Sequence, residues 1–126
     1  MTPKELADKI IEILDNKKAN NIKLLHVEKQ TIIADYFIIC TGNSNTQIRA
    51  LSGEVEKEMK LIGIEPKNIE GFNEASWILL DFSSVIVHIF NRETRNFYNL
   101  EKLWHDSTEI DILTNKTKEI EPSEQV

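Results

Sequence analysis

Two apolar runs, Trp77–Phe82 and Val85–Phe90, are separated only by Ser83-Ser84, and this spacing constrains the fold more than any other feature of the chain. Each run is too short for a helix and ends at turn-forming residues, so the pair predicts two strands joined as a hairpin. Successive strand side chains face opposite ways. Trp77, Leu79 and Asp81 therefore share one face, and Ile78, Leu80 and Phe82 the other. In the second run Val85, Val87 and Ile89 oppose Ile86, His88 and Phe90. Both faces are largely apolar, so a sheet built on this hairpin needs helices against it. An aromatic-rich helical pattern follows at once. Asn91 reads as its cap, and Phe97, Leu100 and Trp104 fall on one face, with Leu103 alongside, as a core-facing surface.

The rest of the chain supplies the other layers. Thr2-Pro3-Lys4-Glu5 combines a capping threonine, a proline suited to the first helical position and a glutamate placed to complete a capping box. Leu6, Ile10, Ile13 and Leu14 then recur at helical spacing, and the helix fades near Asn16. Ile22–Val27 predicts a strand. Tyr36–Thr41, a continuous apolar run, predicts a buried central strand. Ser44 with Gln47 forms a second capping box, opening a helix from Asn45 through Ile48, Leu51, Val55, Met59 and Ile62, with Gly63 as its stop. Pro66 makes Ile64–Gly71 a loop or edge strand. The expected fold is an α/β domain, a mixed β-sheet flanked by helices.

Length fits one domain, assigned to residues 1–105, followed by a polar acidic tail at 106–126 that is partly disordered. In the tail, Ile110, Ile112 and Leu113 are the residues that could dock a short element, and Lys116–Val126 reads as disordered. The net charge is −6, and much of it lies in that tail, where Asp106, Glu109, Asp111, Glu119, Glu121 and Glu124 face only Lys116 and Lys118. The near-neutral body lacks the basic face of a nonspecific nucleic-acid binder, and suits a protein partner, a basic one included. No apolar run reaches membrane-spanning length, and the N-terminus lacks a signal-peptide pattern. With a single cysteine, Cys40, these features suit a cytoplasmic protein.

Candidate chemistry is sparse. His26, His88 and His105 stand in no metal-ligand spacing, so no metal or cofactor is expected. Cys40 sits in the apolar run, where thiols are inert packing. Thr41-Gly42-Asn43-Ser44 joins a strand to a helix and could hold an anion, but it has one glycine and no phosphate-binding lysine, so a tight turn with a cap is the simpler reading. The same turn resembles the glycine-serine entry of nucleotidyltransferases. Those enzymes need paired acids on a following strand, and Trp77–Phe82 offers only Asp81. Two accounts of the hairpin stay open. In one, helices cover both faces, with Asp81 on a turn amide and His88 hydrogen-bonded. In the other, Trp77 and Phe82 remain partly open as a binding patch.

Several segments in order carry a family resemblance: Ala34-Asp35-Tyr36 through Ile39-Cys40-Thr41-Gly42-Asn43-Ser44; Glu70-Gly71; Trp77 with Asp81; Val85-Ile86-Val87-His88; and Arg95 with Tyr98, Leu100-Glu101 and Leu103-Trp104. Together they resemble the Iojap-like family of bacterial ribosomal silencing factors from Leu6 to Trp104. The family's usual Gly-Asp in the hairpin is Ser83-Ser84 here. The resemblance implies a nucleotidyltransferase-like fold without catalytic acids and a non-enzymatic translational repressor. It implies binding to the large ribosomal subunit through ribosomal protein L-fourteen, blocking of small-subunit joining in starvation or stationary phase, and homodimers. On that reading Trp77 and Phe82 are apolar anchors. Asp81, Glu70 and Glu74 meet basic groups, and Arg95 and Tyr98 support or extend the patch. No membrane and no sequence-specific nucleic-acid contact is expected. The alternatives are a small nucleotidyltransferase-like enzyme and a self-associating assembly module.

Overall fold

The computed structural model describes residues 1–104, together with the backbone of two strands at Thr108–Asp111 and Lys116–Glu119. A seven-stranded sheet forms in the order β3-β4-β5-β2-β1-β6-β7. The strands are β1 (Asn20–His26), β2 (Tyr36–Thr41), β3 (Asn68–Glu70), β4 (Trp77–Asp81), β5 (Val85–Phe90), β6 (Thr108–Asp111) and β7 (Lys116–Glu119). The helices are α1 (Pro3–Asn16), α2 (Asn45–Leu61), α3 (Arg92–Tyr98) and α4 (Leu100–Leu103). β2 and β5 run parallel, in register from Tyr36↔Val85 to Thr41↔Phe90, and every other neighbouring pair is antiparallel. Both members of the parallel pair are buried along their whole length, as their unbroken apolar sequences require.

The alternation read from β4 and β5 sorts the two faces. Ile78, Leu80, Phe82, Val85, Val87 and Ile89 join the core under α1 and α2. Ile86 and Phe90 turn the other way, to a smaller cluster with Leu25, Phe37 and Ile39, against which Trp77, Leu79, Leu100 and Trp104 pack half-buried. The two long helices therefore cover one face fully. Among the described residues, the opposite face has only α3, α4 and aromatic side chains over it.

Local signals place these elements. Thr2 and Glu5 close the capping box of α1: the Glu5 amide donates to Thr2 Oγ1 at 3.1 Å and the Thr2 amide to Glu5 Oε1 at 2.8 Å. Ser44 caps α2 through the Gln47 amide at 3.0 Å, but the Gln47 side chain reaches back to the Asn43 amide instead of Ser44's own. Gly63 ends α2 in the left-handed region, φ 82°, as its position predicted. The doubtful Ile64–Gly71 stretch contains β3, a three-residue edge strand.

Two expectations are corrected. The helix read across 92–104 is two helices, because Asn99 adopts φ 46°, ψ 60° and ends α3 while its side chain caps α4. Phe97 and Leu103 consequently leave the core and stand 81% and 68% exposed. Lys116–Glu119, read as disordered, pairs as β7 with β6, which itself extends the β1 edge. The roles expected of Ile112 and Leu113, and the rest of the tail at 120–126, lie outside the described residues.

Candidate functional site

The incompletely covered face carries a line of ring contacts that runs outward to solvent. At its inner end His88, on β5, is buried against Phe37, edge-on at 5.1 Å, and Phe90, nearly parallel at 6.1 Å. Trp77, first residue of β4, lies over this pair. Its indole N–H donates to His88 Nδ1 at 3.1 Å, and its ring is 4.9 Å from Phe90. Tyr98 packs on Trp77 at 4.9 Å, and Phe97 meets Tyr98 edge-on at 5.1 Å. Burial rises inward along this line: Phe97 and Tyr98 are exposed, Trp77 is half-buried and His88 is enclosed. Exposed aromatic side chains of this kind are enriched at protein–protein interfaces.

Backbone geometry fixes Trp77 in place. Gly71 takes φ 82°, and a Cβ there would lie 2.1 Å from the Trp77 carbonyl oxygen, so only glycine lets the chain turn so close to β4. Arg49 of α2 grips the same loop through the Phe72 and Asn73 carbonyls. Strand register then decides which acids accompany Trp77. Glu70 stands opposite Leu79 and so shares the Trp77 face, exposed. Glu74 is exposed in the loop that Gly71 begins.

The other residues expected at the patch have different work. Phe82 is 7% exposed in the core under α1 and α2, because its place in the alternation puts it on the opposite face from Trp77. It is not an open anchor. Asp81 shares the Trp77 face but lies at the far end of β4, where its Oδ1 accepts the Ser83 amide at 2.7 Å. Ser83 holds φ 70°, and this bond steadies a conformation that costs an L-residue about 1–2 kcal/mol. Arg95 is 5% exposed and clamps three segments. Its Nη1 donates to the Asn21 carbonyl at 2.7 Å and Thr41 Oγ1 at 2.8 Å, and its Nε to Glu101 Oε2 at 3.3 Å. It therefore anchors α3 to β1 and β2, and its burial leaves little of its charge at the surface. The ring-line residue that the sequence reading missed is Phe97, assigned to the core. Asn99, a residue tolerant of left-handed backbone, was the signal that its helix ends early.

Other chemistry finds little support among the described residues. Burial pushes the Cys40 thiol up to about 12, so it stays protonated and unreactive. No group of three or more His, Cys, Asp or Glu among the described residues is placed to hold a metal. A polar cleft of about 430 Å³ opens beside the end of β2, lined in part by Asn21, Asn43, Arg92 and Arg95. The Thr41–Ser44 turn beside it spends its Asn43 amide, and the Ser44 hydroxyl, on capping α2. No described helix is long and apolar enough to cross a membrane.

Comparison with known proteins agrees with this architecture. The family model described as "Ribosomal silencing factor during starvation" matches residues 1–126. Ribosomal silencing factor RsfS of Bacillus subtilis is 44% identical over 98 residues, 78% of this chain and 83% of that protein. Its counterpart in Halalkalibacterium halodurans is 39% identical over 112 residues, 89% of this chain and 96% of that protein. The crystal structure of a Chromobacterium violaceum protein superposes with a TM-score of 0.80 at 33% identity, covering 82% of this chain and 87% of that one. The chain belongs to the ribosomal silencing factor family, whose work is ribosome-associated regulation of translation.

Proposed function

We propose that this protein represses translation by docking on the large ribosomal subunit through the Trp77–Tyr98–Phe97 surface, so that its bulk keeps the small subunit from joining. The observation that carries the proposal is the sheet face left partly open, with Tyr98 51% exposed beyond a half-buried Trp77. Glu70 and Glu74 at its margin suit a basic partner, and the family resemblance supports ribosomal protein L-fourteen as that partner. Repression is non-enzymatic on this reading and takes place in the cytoplasm. Phe97, exposed at the outer end of the same surface, is also where two copies would meet if the protein self-associates.

Co-sedimentation with separated subunits tests the proposal. The protein is expected to pellet with large subunits and not with small ones. Equal pelleting with both, or with neither, overturns it. Light scattering with and without large subunits shows whether self-association competes with docking.

A further inference from the structure

A buried histidine in the sheet face needs a reason that packing alone does not provide. His88 stands in register with Leu79 on one side and Ile39 on the other, among the rings of Phe37, Phe90 and Trp77. An aliphatic or phenyl side chain would fill such a site without burying polar atoms. The imidazole accepts the Trp77 indole N–H at Nδ1, which leaves its own proton on Nε2. That Nε2 is buried and has no hydrogen-bond partner. The site thus tolerates one unsatisfied donor and keeps one acceptor, aimed at the edge of a single indole. A half-buried tryptophan on a sheet has several staggered rotamers open to it. The His88 acceptor selects the one that lays the indole between Phe90 and Tyr98.

We infer that His88 is a positioning residue for docking: it holds the Trp77 indole in its binding orientation before the partner arrives. The inference rests on the docking role proposed above for Trp77. Fixing one rotamer in the free protein removes an ordering cost from association, so the effect belongs in the binding constant and not only in the stability of the fold.

Asparagine and leucine have nearly the same shape, and asparagine Oδ1 lies where histidine Nδ1 lies. His88→Asn therefore keeps an acceptor for Trp77, and His88→Leu removes it. The Trp77 indole N–H resonance, assigned by its loss in Trp77→Ala, reports the bond directly. Affinity for isolated large subunits reports docking, and thermal unfolding reports the fold. The expected result is that His88→Asn keeps the displaced indole resonance and binds within about threefold of wild type. His88→Leu should move the resonance to the free-indole position and weaken binding about tenfold. In a Trp77→Ala background, His88→Leu should change affinity no further. Equal binding by the Asn and Leu variants, or an equal loss from His88→Leu with and without Trp77, overturns the inference. If Trp77→Ala itself binds as wild type, the docking role of Trp77 is what has failed. If Trp77→Ala binds weakly while His88→Leu binds normally, only the positioning role has failed. Should His88→Leu not fold, indole hydrogen exchange in the wild-type protein decides. Exchange as fast as a free indole overturns the bond, and retarded exchange upholds it.

Discussion

Trp77 is half-buried, a position from which one ring can serve both the fold and the docking role proposed for it. Its inner edge is bonded to His88 and its outer face meets Tyr98, so on the proposed docking role truncation should cost binding more than it costs the core. Trp77→Ala is expected to weaken large-subunit binding by more than about 1 kcal/mol while the domain stays folded, as affinity measurement with circular dichroism would show. Unfolding of the variant would mean that Trp77 is a core residue. His88 makes a second prediction. Burial holds its ring down to about 4, well below the about 6.5 of an unfolded histidine. As pH falls through that window the unfolded chain takes up a proton that the folded chain refuses, so stability is lost toward acid and is fully present above about pH 6.5. Denaturant unfolding should show a loss of about 2–3 kcal/mol from this residue between about pH 7 and about pH 4.5. In His88→Leu that part of the pH dependence should vanish. Among single residues, alternation revealed the partners of Trp77 and excluded Phe82 from its face. What alternation could not reveal is which face the helices would cover.

At the scale of elements, the hairpin and the parallel pair were legible because each rests on local chemistry. Period-two patterning, a two-residue break and an unbroken apolar run leave few other arrangements. The last helix was misread for an equally local reason. Phe97, Leu100 and Trp104 do fit a continuous helix, and no proline or glycine interrupts them. Asn99 breaks it by adopting left-handed backbone and capping α4, which turns Phe97 outward. Asn99→Gly should leave stability within a few tenths of a kcal/mol, about the same as wild type. Asn99→Ala should cost about 1 kcal/mol, measured by chemical denaturation, since alanine resists the left-handed region and offers no cap. An alanine variant as stable as wild type would mean the two helices can merge without loss. The Arg95 clamp was beyond local reading altogether, since its partners Asn21 and Thr41 are far away in sequence.

The whole molecule is an asymmetric sandwich: thick where α1 and α2 lie, thin where the aromatic line emerges. β6 and β7 extend the sheet, because β6 pairs with β1 and so covers the edge that β1 would otherwise present. Truncation after residue 105 should preserve the main core, which lies within the first 104 residues, but bare the β1 edge. Sedimentation of the shortened protein is expected to show more self-association than the full chain, since an open strand edge is a template for pairing. An unchanged monomer content would mean that β6 and β7 do not protect that edge.

Local sequence was enough for the order of elements from α1 to β5, the caps and stops of α1 and α2 but for the second half of the α2 capping box, the two faces of the hairpin and the family. All of these depend on neighbours within a few residues, or on motifs read in order along the chain. It took the packing of distant segments to leave the Trp77 face the more open one, to bring Phe97 to it through Tyr98, and to bury Arg95 as a clamp. Those outcomes depend on where α1 and α2 pack and on contacts between distant segments, which no periodicity records.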